Sequence, residues 1–291
     1  MIATVEAPNT SAADGAVRPT REVIYRHTVL VRLTHWLNAL VIVVMIGSGL
    51  NIFNAHPRLY WGLKGDEYDR PWLSIEATEG PKGTRGVTMI GPFRFDTTGF
   101  LGVARDKGQE VDKAWPSVLT IPSNQDLADA RHWHFLFAWI LAANGLVYLL
   151  WGLVSRHLKR DIVPTVDDLR KIPRSVIDHV QLRHPVGEAA KRYNVLQRLA
   201  YLGVITLVSL MVLTGLTMSP GFNAFAPWLL DLFGGRQSAR SLHFLCASGL
   251  VAFIAIHLIE VMLAGPYNEI KSMITGRYAV PSATSHDGAE K

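Results

Sequence analysis

Cysteine is almost absent from this chain of 291 residues, in which Cys246 supplies the only thiol. A single cysteine excludes a disulfide framework, an iron–sulfur cluster held by cysteines and the CxxCH motif that attaches a c-type haem. Charged residues are also scarce, at 18% of the chain, whereas hydrophobic residues make up 49%. A soluble protein of this length would form one or two domains. The distribution of the apolar residues indicates a different class.

A recognisable secretory signal is missing from the first residues. Met1–Thr20 is small and polar, contains proline, and lacks the apolar stretch that a signal peptide needs. We therefore predict that residues 1–20 form a disordered cytoplasmic tail.

Long apolar segments, in contrast, are abundant, and each has the length of about 20 residues that crosses a bilayer as a helix. They are Leu33–Phe53, His132–Val154, Leu196–Met218 and Ser241–Ala264. In lipid, every backbone polar group must be satisfied within such a segment, which favours helices over strands. The sequence therefore predicts an all-α integral membrane protein with a bundle of four transmembrane helices.

The basic residues indicate how this bundle is oriented. The net charge of +5 is compatible with nucleic-acid binding, but the positive residues gather beside the ends of the spans. They include Arg18, Arg21, Arg26 and Arg32 before the first span and a second group from Arg156 to Arg198. The positive-inside rule then places both termini and the connection 155–195 in the cytoplasm. We therefore expect these basic residues to lie beside a lipid bilayer, and we expect the protein not to bind nucleic acid.

The organisation predicted along the chain is a tail at 1–20, a membrane domain at 21–278 and a C-terminal cytoplasmic tail at 279–291. The insertion 55–131 is too long for a simple loop and too polar for lipid. Its aromatic residues and short β-like runs at Val87–Ile90 and Phe93–Phe95 favour an ordered periplasmic cap, with a mobile loop as the alternative.

Shorter signals subdivide the other connections. Thr165, followed by Asp168, predicts a helix N-cap in the segment 155–195, which Pro173 and Pro185 divide into short pieces. Phe225–Phe233 is typical of an interfacial helix that ends at a pair of glycines. No internal repeat stands out.

Two histidines on the last span provide the strongest functional signal. His243 and His257 are separated by nearly whole turns of helix, so they share one face about 21 Å apart. No single metal ion bridges that distance, but two cofactors at different depths do. The alternating direction of the spans places His134 at the depth of His243 and His35 at the depth of His257. Two imidazoles per haem iron would suit electron transfer rather than oxygen binding.

Other polar residues near these depths have less specific interpretations. His132 competes with His134 for the same role, but residues two apart face different sides of a helix. Four arginines flank the histidines and are candidates either for haem propionates or for anchoring the spans: Arg32, Arg131, Arg236 and Arg240. Asn38 and Glu260 are candidates for a quinone site. The alternative for Asn38 is a hydrogen bond to a neighbouring helix, and the alternative for Glu260 is an interfacial side chain that reaches water. The histidines outside the spans are expected to be ordinary surface residues: His27, His56, His157, His179, His184 and His286.

The segments that carry these residues resemble the four-helix di-haem cytochrome b subunits of formate dehydrogenases, nickel–iron hydrogenases and thiosulfate-reductase-like complexes, within a bacterial cytochrome b561-like superfamily. The matching motifs are RLTHW, RHWHFLFAW, YNVLQRLAY, GGRQSARSLHF and HLIEVMLAGP. The resemblance implies two b haems with His35, His134, His243 and His257 as axial ligands, in a bacterial inner membrane. It also implies exchange of electrons with a quinone near His35 and His257.

The segments FDTTGFLG, WPSVLTIPSNQDLADARHWHF and GGRQSAR resemble the branch found with periplasmic molybdopterin oxidoreductases. The leading hypothesis is therefore an electron-transfer subunit between such a periplasmic partner and the quinone pool. One alternative is a stand-alone cytochrome that reacts with a small molecule at a haem edge. The other is a transporter whose histidines titrate, although no inverted repeat or broken helix pair supports it.

Overall fold

The structure is a computed structural model that describes residues 22–281 except 67, 82, 107–108 and 184. The predictions for the tail 1–20, for Arg18 and Arg21, for His184 and His286, and for most of the tail 279–291 lie outside these residues. Chain elements are numbered in order within the described part.

Four long helices confirm the four predicted spans. They are α1 (Val29–Asn54), α2 (Leu127–Val154), α5 (Val195–Thr217) and α8 (Arg236–Ala264). All four are long and apolar enough to cross a membrane. The helices α1, α2 and α8 begin a few residues earlier than predicted, because the polar residues before each apolar run also adopt helical structure. At α2, for example, Asp126 caps the helix by accepting a hydrogen bond from the backbone N–H of Asp129 at 3.0 Å.

The long helices form two neighbouring pairs, with α1 against α2 and α5 against α8. Val41, Met45 and Leu141 form the buried contact in the first pair. Met211, Cys246 and Leu250 form the corresponding contact in the second pair. Large apolar side chains elsewhere on these helices point outward and are mostly exposed, including Leu40, Trp139, Leu153 and Ile259. Such a surface is stable in lipid and costly in water.

The insertion 55–131 folds into a small β structure, which we call the cap. Strands β2 (Arg58–Leu59), β3 (Leu73–Gly80), β4 (Gly83–Ile90) and β5 (Phe93–Asp96) form an antiparallel sheet in that order. Strands β6 (Gly102–Asp106) and β7 (Gln109–Lys113) form a separate hairpin. The predicted strands at 87–90 and 93–95 are confirmed within this β structure.

The cap is fastened to the beginning of α8 by hydrogen bonds. Trp72 Nε1 donates to Ser241 Oγ at 2.9 Å, and Ser241 Oγ donates in turn to Tyr60 O. The backbone N–H of Gly62 donates to Ser238 Oγ at 2.7 Å. Gly235, with φ +105°, allows this close approach, since a Cβ atom there would lie 2.7 Å from Gly62 O. The position of α8 is therefore fixed by the cap as well as by α5.

Short elements cover the opposite end of the bundle. They are α3 (Val166–Arg170), α4 (Ile172–Val180), α9 (Pro266–Thr275) and the two-stranded ribbon of β1 (Val23–Tyr25) and β8 (Arg277–Ala279). The predicted N-cap is confirmed as a full capping box between Thr165 and Asp168. Because β1 pairs with β8, the two ends of the described chain lie at the same end of the bundle.

Two predicted boundaries need correction. Val280, which we assigned to the tail 279–291, is 4% exposed and packs with Ala190 and Tyr278, so the folded body extends past residue 278. The helix predicted over 225–233 is α7 (Pro227–Leu232), which begins two residues later than predicted, and a separate helix α6 (Pro220–Phe225) precedes it. The break falls at Ala226, because the residue before a proline is disfavoured in the helical conformation.

Candidate functional site

The structure brings the four histidines of the spans together in the two expected pairs. The imidazole ring centres of His134 and His243 are 6.2 Å apart at the cap end of the bundle. Those of His35 and His257 are 6.4 Å apart toward the opposite end. His132, the competitor of His134, is exposed. Each pair joins two different helices, α2 with α8 and α1 with α8.

The spacing within each pair matches two imidazoles that share one metal ion. A metal–nitrogen bond of about 2 Å, with each ring centre about 1 Å beyond its nitrogen, would separate the two centres by about 6 Å. Among the described residues, no group of three or more histidine, cysteine, aspartate or glutamate side chains surrounds a possible metal position. A metal ion between these rings therefore needs a cofactor for its other ligands, as an iron porphyrin provides. The residues present fit a haem with two axial histidines.

At the cap end, each histidine also contacts a hydroxyl group on a neighbouring helix. His134 Nδ1 lies 3.0 Å from Ser48 Oγ, and His243 Nδ1 lies 3.1 Å from Thr214 Oγ1. The sequence analysis missed both hydroxyls. Partners of this kind fix the rotation of a ligand ring and the position of its proton.

The other pair has different surroundings. His35 Nδ1 is buried and has no hydrogen-bond partner among the described residues. The ring of His35 meets Trp36 edge-on at 5.3 Å, and the ring of His257 stacks on Phe253 at 5.8 Å. Aromatic packing, rather than hydroxyl contacts, orients these two imidazoles.

The four arginines proposed for propionates lie in different environments. Arg240 donates to the backbone oxygens of Arg58 and His56, so its guanidinium helps to hold the cap. Arg32 donates to Ile274 O, while its buried Nε has no partner among the described residues. Arg131 lies over the ring of Phe135 at 5.6 Å and is exposed, as is Arg236. Arg32 therefore has a donor left for an acidic group on the interior of the protein.

The two residues proposed for a quinone site both have protein partners. The side-chain oxygen of Asn38 accepts a hydrogen bond from Asn144 Nδ2 at 2.7 Å, which is the helix–helix contact considered as its alternative. Glu260 Oε1 lies 3.1 Å from His179 Nε2 of α4, and both side chains are partly exposed. The pair links the end of α8 that carries His257 to the surface.

Two histidines that were expected on the surface are instead enclosed. His27 is 8% exposed, and burial, reinforced by the charge of Arg26, lowers its pKa from 6.5 to about 4. The side chain of His157 is 14% exposed and bonds Asp161 through Nδ1 at 2.8 Å. The expectation failed for His27 because its backbone N–H bonds Gly276 O beside β8, and for His157 because its ring packs against Trp151 at 5.1 Å. Periodicity within the spans indicates neither contact.

Comparison with known proteins agrees with this geometry. The model of the prokaryotic cytochrome b561 family matches residues 26–276. The chain is also similar to a protein of Azospira oryzae named as a putative protein-methionine-sulfoxide reductase subunit YedZ1. The two are 28% identical over 249 residues, which cover 84% of this chain and 93% of the relative. The matched region contains all four paired histidines. The chain therefore belongs to the prokaryotic cytochrome b561 family of haem b membrane proteins.

Proposed function

We propose that this protein is the membrane-anchoring subunit of a quinone-linked oxidoreductase and carries electrons across the bilayer through two b haems. The observation that supports it is the presence of two histidine pairs with nearly equal spacing, 6.2 and 6.4 Å, toward opposite ends of one helix. A bound haem supplies reversible one-electron transfer at its iron. The protein would bind each cofactor, set the distance between the two sites and provide a path for protons.

The histidines hold each cofactor and limit its chemistry. His134 and His243 would ligate one haem, and His35 and His257 the other. By supplying two imidazoles to each cofactor, these residues would favour electron transfer over binding of oxygen or another small ligand. The shared helix α8 sets the distance between the two sites at about 21 Å by its rise per residue.

The arginines would stabilise the acidic groups of the cofactors. Near the His35 pair, Arg32 Nε, which has no partner among the described residues, offers a donor in a buried region. Hydrogen bonds from charged donors to carboxylates are about twice as strong as neutral ones. At the cap end, the candidates for contact with these acidic groups are Arg131 and Arg236, whose side chains are exposed.

The quinone would react at the end that carries His35 and His257. There, Glu260 Oε1 and His179 Nε2 lie 3.1 Å apart, and both side chains are open to the surface. The Glu260 carboxylate would receive a proton from the quinol, and a neutral His179 imidazole would take that proton on its free ring nitrogen, so that proton movement accompanies electron movement. Asn38 would act indirectly, by keeping α1 against α2 through Asn144.

The cap would face the periplasm and dock the partner, which we propose to be a molybdopterin oxidoreductase. The name of the similar Azospira oryzae protein describes a reductase subunit, which supports a partner protein. The cap also exposes aromatic side chains, including Phe93, Phe95 and Phe100. Exposed aromatic groups of this kind are common in protein interfaces.

Haem content tests the proposal directly. The protein purified from membranes should contain two protohaems per chain by pyridine haemochrome analysis, and a quinol should reduce them. His134→Ala and His243→Ala should each remove the same haem, and His35→Ala and His257→Ala the other. His132→Ala is the matched control and should keep both. One haem or none in the unmodified protein would refute the proposal.

A further inference from the structure

A five-residue pattern occurs twice in the chain, once on α1 and once on α5. Met45–Gly49 reads MIGSG and Met211–Gly215 reads MVLTG, so both segments have the form Met-x-x-(Ser/Thr)-Gly. The sequence analysis did not identify this repeat, because five residues with three shared positions are indistinct within long apolar runs. The contacts of the two segments show that they are structurally equivalent.

Each copy meets one histidine of the cap-end pair in the same way. Ser48 Oγ lies 3.0 Å from His134 Nδ1, and Thr214 Oγ1 lies 3.1 Å from His243 Nδ1. The glycine that follows leaves room for the ring. A Cβ atom on Gly49 would lie 3.4 Å from His134 Cε1, and one on Gly215 would lie 3.5 Å from His243 Cε1. The helix pairs α1–α2 and α5–α8 thus present their histidines in one common arrangement.

The hydroxyl groups also determine which ring nitrogen carries the proton. Ser48 Oγ donates its hydrogen to Val44 O at 2.7 Å, and Thr214 Oγ1 donates to Leu210 O at 2.6 Å. A hydroxyl has a single hydrogen, so toward histidine it can only accept. The hydrogen-bond arrangement therefore assigns the proton to Nδ1 of both rings.

The backbone supports the same assignment. Each hydroxyl also has a second main-chain oxygen within reach, since Ser48 Oγ lies 3.3 Å from Met45 O and Thr214 Oγ1 lies 3.3 Å from Met211 O. A main-chain oxygen accepts hydrogen bonds and never donates them. With Nδ1 protonated, Nε2 keeps its lone pair and is the nitrogen available to a metal ion.

We propose that Ser48 and Thr214 are positioning residues for the cap-end haem: they hold His134 and His243 as Nδ1–H tautomers and direct both Nε2 atoms toward one iron. This inference rests on the proposed function, since it assumes a haem between the two rings. No equivalent acts on the other pair in the described part of the chain, where His35 Nδ1 is buried without a partner. The two haems therefore differ in the hydrogen bonding of their ligands.

The difference has a direction. A hydrogen bond from Nδ1–H makes the imidazole a stronger electron donor, which favours the ferric form of the iron. Loss of the hydroxyl should therefore shift the midpoint potential of the cap-end haem to a more positive value. Because His134 and His243 are both kept, single variants should retain the haem.

Potentiometric titration of the haem spectra in the purified complex tests this inference. Ser48→Ala and Thr214→Val should each raise the midpoint potential of one haem and leave the other unchanged. The double variant should produce a larger shift at the same haem and weaken its retention about tenfold. Ser48→Thr and Thr214→Ser keep the hydroxyl and should restore the original potential.

Matched controls come from hydroxyl groups on α5 that, within the described part of the chain, bond only to their own helix. Thr206 Oγ1 donates to Leu202 O and Ser209 Oγ donates to Ile205 O, as in ordinary helix back-bonding. Thr206→Val and Ser209→Ala should leave both potentials unchanged. The inference is refuted if the controls shift the potentials equally, if both haems move together, or if neither moves in the single variants. Absence of two haems in the unmodified protein would instead refute the proposed function.

Discussion

Ser241 shows how one small side chain joins the membrane bundle to the cap. It is fully buried, accepts from Trp72 Nε1 and donates to Tyr60 O. It also lies two residues before His243, so the same turn of α8 holds both the cap and a histidine. A buried serine with both hydrogen bonds satisfied is stable, whereas its removal leaves two partners unsatisfied.

We expect Ser241→Ala to destabilise the protein by about 1–3 kcal/mol, because the indole N–H of Trp72 would lose its acceptor in a dry environment. Thermal unfolding in detergent, followed by tryptophan fluorescence, measures the change. Ser248→Ala is the control, since Ser248 is exposed and bonds only Phe244 O within its own helix. Equal stability of the two variants would contradict the role of Ser241.

His27 makes stability depend on pH. Its folded-state pKa of about 4 lies below the unfolded value of 6.5, so the folded protein binds fewer protons between these values. Stability from this residue is present above pH 6.5 and is lost as the pH falls toward 4, by about 2 kcal/mol between pH 7 and pH 5. Denaturant titrations at both pH values should show this loss. His27→Leu should reduce it, and an unchanged pH dependence in that variant would contradict the assignment.

At the scale of elements, the start of α5 is fixed by a local motif. The backbone N–H of Gln197 donates to Asn194 Oδ1 at 2.8 Å, and Gln197 Oε1 accepts from the Asn194 backbone at 3.0 Å. This capping box satisfies two donors that the helix itself leaves free. It lies within YNVLQRLAY, one of the segments that carried the family resemblance.

Asn194→Ala should cost about 1 kcal/mol of unfolding free energy, because one N-cap acceptor is lost. Asn194→Asp retains an acceptor oxygen and should lower the free energy of unfolding by only a few tenths of a kcal/mol. Equilibrium unfolding of the two variants in mixed detergent provides the comparison. A cost for the aspartate variant as large as that for alanine would indicate that the amide N–H₂, and not the oxygen, is the important group.

The elements differ in how far the sequence predicted them. Apolar length alone located the four spans, since the bilayer imposes that length on any crossing helix. The break at Ala226 escaped prediction because the apolar pattern continues through Pro227, although the proline itself was a sufficient signal. The register of the cap sheet depends on contacts between strands, and therefore only the strands at 87–90 and 93–95 could be anticipated.

For the whole molecule, the direction of each span made the histidine pairs predictable before any coordinates. Depth follows from position along a helix, so His134 with His243 and His35 with His257 could be matched from the sequence alone. Which helices are neighbours, and which groups touch Nδ1, could not be, because both depend on side-chain packing between helices. The contacts of Ser48 and Thr214 with the histidines follow from the packing of α1 against α2 and of α5 against α8.

The orientation in the membrane remains a prediction that labelling can test. Cys246 is 8% exposed, so this native thiol should react slowly with a maleimide compared with an engineered surface thiol. Two variants provide thiols for labelling. Val118→Cys places one in the cap, where Val118 is 86% exposed, and Arg183→Cys places one in the connection 155–195. A membrane-impermeant maleimide should label the first in intact spheroplasts and the second only after lysis. The reverse pattern would invert the proposed topology.

The ribbon of β1 and β8 joins strands that lie far apart in the sequence, with Val23 opposite Ala279 and Tyr25 opposite Arg277. Pairing over so long a separation must first overcome the entropy of closing the intervening chain. The end of the bundle around His27 should therefore become enclosed late in folding.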